Sequence, residues 1–109
     1  MIAKKLTTLT EPLDFDLQLV ADELDTSGNN LVYLNKGLFT DAISFDKFQF
    51  FLKDIQENGV EIESFNDNTI LYEFDNEALI VYTMLSETYV IFDDILAQHF
   101  ENMISNYNA

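Results

Sequence analysis

Twenty carboxylates, five lysines and a single histidine, with no arginine and no cysteine, bound the chemistry open to this chain of 109 residues. The carboxylates gather late in the sequence. Lys53 is the last cation, and twelve acids follow it, among them Glu61, Glu63, Asp67, Glu73, Asp75, Glu77, Asp93 and Asp94. The chain up to Lys53 carries eight acids and all five lysines, so it contributes −3 to the formal net charge of −15, and the remainder contributes −12.

Carboxylates in such numbers can do three kinds of work: acid–base catalysis in pairs, cation binding, and electrostatic docking of a basic partner. Catalytic pairs cannot be singled out among twenty acids, and glycoside chemistry needs a specific separation that the sequence does not specify. A Ser–His–Asp arrangement would have to use His99, but no Gly-flanked serine or oxyanion-loop signature accompanies it. No Gly-rich loop is present to cradle phosphate. His99 has Ile95 one helical turn before it, so it lacks a second ligand at metal-binding spacing. Asp67 and Asp75 have no nearby glycine of the kind a calcium loop needs. These readings predict a protein that is not an enzyme and that uses no metal and no cofactor. The absence of cysteine excludes disulfides, Cys-ligated zinc and thiol nucleophiles.

Docking is the remaining use. Five lysines against twenty acids give the wrong field for binding nucleic acid or an anionic membrane surface directly. Two acids two apart on a strand, such as Glu61 and Glu63, would sit about 6.6 Å apart. Duplex DNA presents a phosphate every ~3.4 Å per strand. The scales are comparable, so a row of carboxylates can imitate a phosphate backbone and occupy the groove of a basic protein. The expected function is a non-enzymatic acidic inhibitor of a nuclease or nucleic-acid-binding protein. An immunity protein or antitoxin, and a phage-type DNA mimic acting against host defence, fit equally. The alternative is an adaptor module whose acidity serves solubility. Phe65, Tyr89 and Tyr107 are aromatic candidates for anchoring the contact.

These residues need elements to position them. The content of 48% hydrophobic and 14% aromatic residues is that of a folded domain rather than a disordered acidic tail. The length suits one α+β domain over residues 1–109, with a meander of four to five antiparallel strands against two or three helices in the order α-β-α-β-β-β-β-α. Residues 11–25 read as helix, with Thr10 as a cap and Leu13, Leu17, Val20 and Leu24 at helical spacing. The competing strand reading rests on the alternation of Leu13, Phe15, Leu17 and Leu19 with polar residues. Leu31–Leu34 is a strand. Ser44 is placed as the cap of a second helix, with Phe45, Phe48, Phe51 or Leu52, and Ile55 on its apolar face. Asn58-Gly59 ends it, the glycine tolerating a left-handed backbone. Four strands follow, at Val60–Phe65, Thr69–Phe74, Ala78–Leu85 and Thr88–Phe92, and Asp93 or Asp94 caps a last helix with Ile95, Leu96, Phe100, Met103, Ile104 and Tyr107 on its stripe.

A register follows from treating Asn66-Asp67-Asn68 and Asp75-Asn76-Glu77 as three-residue turns. Phe65 then pairs with Thr69, Glu63 with Leu71, Glu61 with Glu73, and Phe74 with Ala78. Val60, Ile62, Ile70, Tyr72, Phe74, Ile80 and Tyr82 form the core face, and Leu71, Leu79 and Val81 form an apolar patch edged by Glu61, Glu63 and Glu73. That patch is the expected contact surface; it could also form a homodimer interface, or a helix could cover it, and a free sheet edge is a further place for another chain to pair. No signal-peptide segment is expected at the N-terminus, and the longest nearly apolar run is under half a membrane span, so the expected location is the cytoplasm.

Overall fold

The computed structural model describes residues 3–6, 17–26, 30–84 and 87–106. The chain is an α+β fold. One antiparallel sheet of six strands carries helices on both faces. In chain order the elements are β1 (Lys4–Lys5), α1 (Leu17–Glu23), β2 (Leu31–Leu34), α2 (Ala42–Asn58), β3 (Val60–Asn66), β4 (Thr69–Phe74), β5 (Glu77–Met84), β6 (Glu87–Asp93) and α3 (Ala97–Asn106). Single 3₁₀ turns precede α2 at Lys36–Leu38 and α3 at Asp94–Leu96. The strands lie in the order β1-β2-β6-β5-β4-β3, so β1 and β3 are the two edges. The predicted meander is the four-strand part of the sheet from β3 to β6; β1, at two residues, is too short to leave a pattern in the sequence.

Helices α2 and α3 cover one face. Phe48, Phe51 and Ile55 of α2 and Phe100 and Ile104 of α3 meet Tyr72, Phe74, Leu79, Val81, Val90 and Phe92 from the sheet. On the other face, Val20 and Ala21 of α1 and Leu24 just after it pack with Leu6 onto Leu31, Tyr33, Leu71, Ile80, Tyr82, Tyr89 and Ile91. The central strands β5 and β6 are buried on both sides, which is why they read as nearly continuous apolar runs. Residues 17–23 are helical, as expected, whereas Leu24 and Asp25, also expected in the helix, form a turn in which Asp25 takes φ 55°; residues 11–16 lie outside the described residues, as does Tyr107.

The cap of α2 differs from expectation. Asp41, three residues before Ser44, is the N-cap, and its carboxylate accepts the Ser44 N–H at 2.8 Å. Ser44 thus supplies the donor rather than the cap, and the helix begins with Ala42, which tolerates helix as well as any residue. At the other end Gly59 has φ −72° and ψ 154°, so it is extended and not left-handed. Glycine is needed there for close approach instead: a Cβ would lie 2.5 Å from the Ile55 carbonyl oxygen and 3.2 Å from the Tyr72 ring. Lys47 donates from Nζ to the Ser105 carbonyl at 3.2 Å, tying α2 to the C-terminal turn of α3, where a cation suits the helix dipole.

Both hairpins after β3 close with two residues, not three. Asn66 pairs with Thr69, and Phe74 pairs with Glu77. Asp75 and Asn76 take φ of 52° and 66°, the left-handed pair that a type I′ turn requires and that Asp and Asn tolerate. The one-residue difference reassigns β5. Leu79 and Val81 face α2 and α3, beside Tyr72 and Ile70, while Ile80 and Tyr82 face α1. Along β3 two bulges intervene, one between Glu61 and Glu63 and one between Ser64 and Asn66. The first leaves the predicted Glu63–Leu71 pair in place but sets Glu61 against Tyr72 and Val60 against Glu73.

Candidate functional site

The expected apolar patch is not a surface. Leu71 is 3% exposed in the core under α1, and Leu79 and Val81 are buried under α2 and α3. The homodimer interface assigned to these three residues is corrected with it. Tyr89 is likewise buried, and Phe65 packs partly into the α1-side core, so neither is an exposed anchor. The residues exposed in their place are Val60, at 63%, and Ile62, at 53%, both on the edge strand β3 and both assigned by their alternation to the core. Ile95 also leaves the predicted apolar stripe of the last helix, at 79% exposure in the 3₁₀ turn before α3.

The carboxylates group around one end and one edge of the sheet. Strand β4 runs from the Asp67 turn to the Asp75 turn, a span of about 20 Å for a six-residue strand. At the far end lie Glu73, Asp75 and Glu77 of the β4–β5 hairpin, together with Asp93 and Asp94 where β6 ends. Glu61 stands near that end on β3. Glu63 lies farther along the same strand, and Asp67 sits at the opposite end with the β3–β4 turn. The structure therefore brings Glu61, Glu73, Asp75, Glu77, Asp93 and Asp94 to one end, leaves Asp67 at the other, and removes Leu71 from the surface.

The bulge at Ile62 decides how the edge carboxylates point. Glu61 pairs with Tyr72, on the α2 side of the sheet, and Glu63 pairs with Leu71, on the α1 side. They do not share a face, and the expected 6.6 Å row of charge on one surface is replaced by carboxylates on both sides of the edge. Glu63 and Glu73 share the α1 side as diagonal neighbours, about 7–8 Å apart. Burial pushes the Tyr72 phenol up from its ordinary value, and the Glu61 carboxylate pushes it further in the same direction.

Several acids elsewhere serve the fold locally. Asp22 accepts from Gln18 at 2.8 Å, Asp41 caps α2, and Glu87 lies 3.8 Å from Lys36. Asp93 also has such a role: its carboxylate accepts the Ile95 N–H at 2.9 Å and caps the 3₁₀ turn, as expected for one of the two aspartates. By contrast, among the described residues the carboxylates of Glu61, Glu63, Glu73, Asp75 and Glu77 have neither a hydrogen-bond donor nor an ion-pair partner. No lysine follows Lys53, so none lies on β3, β4, β5, β6 or α3. The cations lie on β1 at the opposite edge, in the first 3₁₀ turn, and on α2. Five strand spacings separate the two edges, about 24 Å.

Two clefts, of about 170 Å³ lined by Lys36, Phe48, Gln49, Leu52 and Thr88 and of about 220 Å³ lined by Gln49, Phe50 and Lys53, are smaller than the ~300 Å³ where small-molecule pockets usually begin. Among the described residues no group of three or more His, Asp or Glu side chains is placed to hold a metal ion. His99 is exposed on α3, its ring edge-on to Phe100 at 5.6 Å. No helix among the described residues is long and apolar enough to cross a membrane. Comparison with protein-family models, with curated proteins and with solved structures finds no match to this chain.

Proposed function

We propose that the chain is a non-enzymatic acidic binding protein whose β3 edge and adjoining sheet end occupy the nucleic-acid site of a basic protein, a nuclease or nucleic-acid-binding protein. The observation that carries this reading is the set of carboxylates Glu61, Glu63, Glu73, Asp75 and Glu77, unpartnered among the described residues, around exposed Val60 and Ile62, with no lysine or arginine after Lys53. Such a field attracts a basic surface at long range and speeds encounter. The two exposed β-branched residues supply the apolar contact that charge alone lacks. The roles that fit are those of an immunity protein or antitoxin and of a DNA mimic directed against a defence nuclease. The setting of such a protein is the compartment of its target, and for these roles that is the cytoplasm.

The test is capture on the immobilised chain, identification of the bound protein by mass spectrometry, and competition with duplex DNA for that protein. The expected result is a basic protein released at about 0.5 M salt, where the screening length is only about 4 Å. Duplex DNA and the chain should exclude one another from it. The triple variant E61Q/E63Q/E73Q should lose the interaction. Retention of full binding by that variant, or simultaneous binding of chain and DNA to the same protein, refutes the reading.

A further inference from the structure

Strand β3 is the longer of the two sheet edges. Among the described residues no strand lies beyond it, while β4 pairs with it on the inner side. An edge strand presents a row of backbone N–H and C=O groups outward, a template for another strand. Val60, Glu61, Ile62, Glu63 and Ser64 are all exposed.

Charge decides which strand fits. A second copy of this chain is the wrong occupant: antiparallel pairing centred on Ile62 would set Glu61 of each copy against Glu63 of the other, and like charges directly opposite are destabilising. Bulges follow Glu61 and Ser64, so any added strand, copy or partner, must follow a twisted edge, and charge alone separates the two occupants. The first of these bulges places Glu61 on the α2 side of the sheet and Glu63 on the α1 side, where Glu73 joins it. A strand laid about 4.8 Å outside β3 would have carboxylates above and below it. A neutral segment would leave them unpaired, whereas a segment with cationic side chains on both faces would pair them.

We propose that β3 is a strand-addition edge for an extended basic segment of a partner protein, with lysine or arginine on both faces of the added strand. This rests on the reading of the acidic edge as the partner-binding surface and specifies how the contact is made: backbone pairing to residues 60–66 supplies the ladder, Val60 and Ile62 the apolar contact, and the carboxylates the selection.

The test uses the full chain and two synthetic peptides of about eight residues, an ordinary strand length. Both are built from valine, threonine and lysine with lysines on both strand faces. The second is N-methylated at alternate residues, which removes the backbone donors along one edge and keeps the charge. Titration of the isotopically labelled chain is followed by NMR. Amide shifts concentrated in residues 60–66, slowed hydrogen exchange there, and at least about tenfold weaker binding of the methylated peptide are expected, since two or three lost hydrogen bonds account for that factor. The double variant E61Q/E63Q should weaken the unmethylated peptide. Equal binding of the two peptides, shifts centred on β1 or α2, or no binding of either overturns strand addition. The acidic-surface reading itself stands or falls separately, on whether the captured basic protein still competes with duplex DNA.

Discussion

Replacing Gly59 by alanine tests the joint between α2 and the edge strand. The added Cβ would sit 2.5 Å from the Ile55 carbonyl oxygen, a backbone atom held in the helix, and 3.2 Å from the Tyr72 ring. The first distance is too short for any real contact, so the chain must move. Moving it strains the Gly59 N–H bond to the Ile55 oxygen, now 2.8 Å, which contributes about 1 kcal/mol. Pressing on Tyr72 adds the cost of overpacking, about 1–3 kcal/mol. Reduced freedom of the unfolded chain returns about 0.4–1 kcal/mol. The net expectation is destabilisation by about 1–3 kcal/mol, a large part of a typical 5–15 kcal/mol. Urea unfolding followed by tyrosine fluorescence, with five tyrosines as probes and no tryptophan, reads it directly. The midpoint should fall with the slope unchanged. Gly37→Ala is the control: its Cβ meets nothing nearer than the Asn35 side chain at 3.5 Å, and its stability should change by less than about 0.5 kcal/mol. If Gly59→Ala matches the parent or exceeds it, the close approach at the start of β3 is wrong.

Three further outcomes follow from the structure. Leu71→Ala should cost about 2–5 kcal/mol in urea unfolding, the range for a buried leucine, whereas a leucine in an exposed binding patch would cost little stability and much affinity. Asp41→Ala should destabilise α2 at neutral pH through loss of the cap to Ser44, read as a lower thermal midpoint. The Ser44 N–H holds the Asp41 carboxyl below its ordinary value, so its stabilisation is present above the usual carboxylate range and is lost as pH falls through the folded-state value; Asp41→Asn should flatten that part of the acid titration. At the alkaline end, burial and Glu61 hold the Tyr72 phenol above its ordinary value, so the unfolded state releases its proton first and stability declines as pH rises from about 10. Glu61→Gln should shallow that decline in pH-dependent unfolding.

The sequence made some elements legible and hid others, and the reasons are local. Helix α2 was plain because Phe48, Phe51, Leu52 and Ile55 repeat at helical spacing and are all buried. The paths of β3, β4 and β5 were plain from their turn residues. Their register was not. Asp75-Asn76-Glu77 offers three residues of turn type, and only the backbone shows that the first two suffice. Strand β5 could not correct the mistake, because Leu79, Ile80, Val81 and Tyr82 are apolar whichever face they take, and both faces are buried. Val60 and Ile62 misled in the opposite direction: their alternation with Glu61 and Glu63 looks like a half-buried strand, but β3 is an edge with bulges, and the apolar residues are exposed along with the acids.

In the function proposed above, the sign of the charge on β3 is what would separate recognition from simple protection. An exposed edge needs charge to resist pairing with other copies, and lysine serves that purpose as well as glutamate. The opposite edge does carry Lys4 and Lys5. Edges of opposite sign invite copies to add head to tail, β1 of one to β3 of the next, and such contacts do not close. Two residues of β1 offer too short a ladder to sustain that contact, whereas β3 offers seven. Solubility alone is indifferent to where carboxylates sit and is served by interspersing lysines among them. The concentration of unpartnered acids on the longer edge, on both sides of it and beside exposed Val60 and Ile62, has a physical consequence that neither solubility nor edge protection requires. A basic strand gains there what a neutral or acidic one does not.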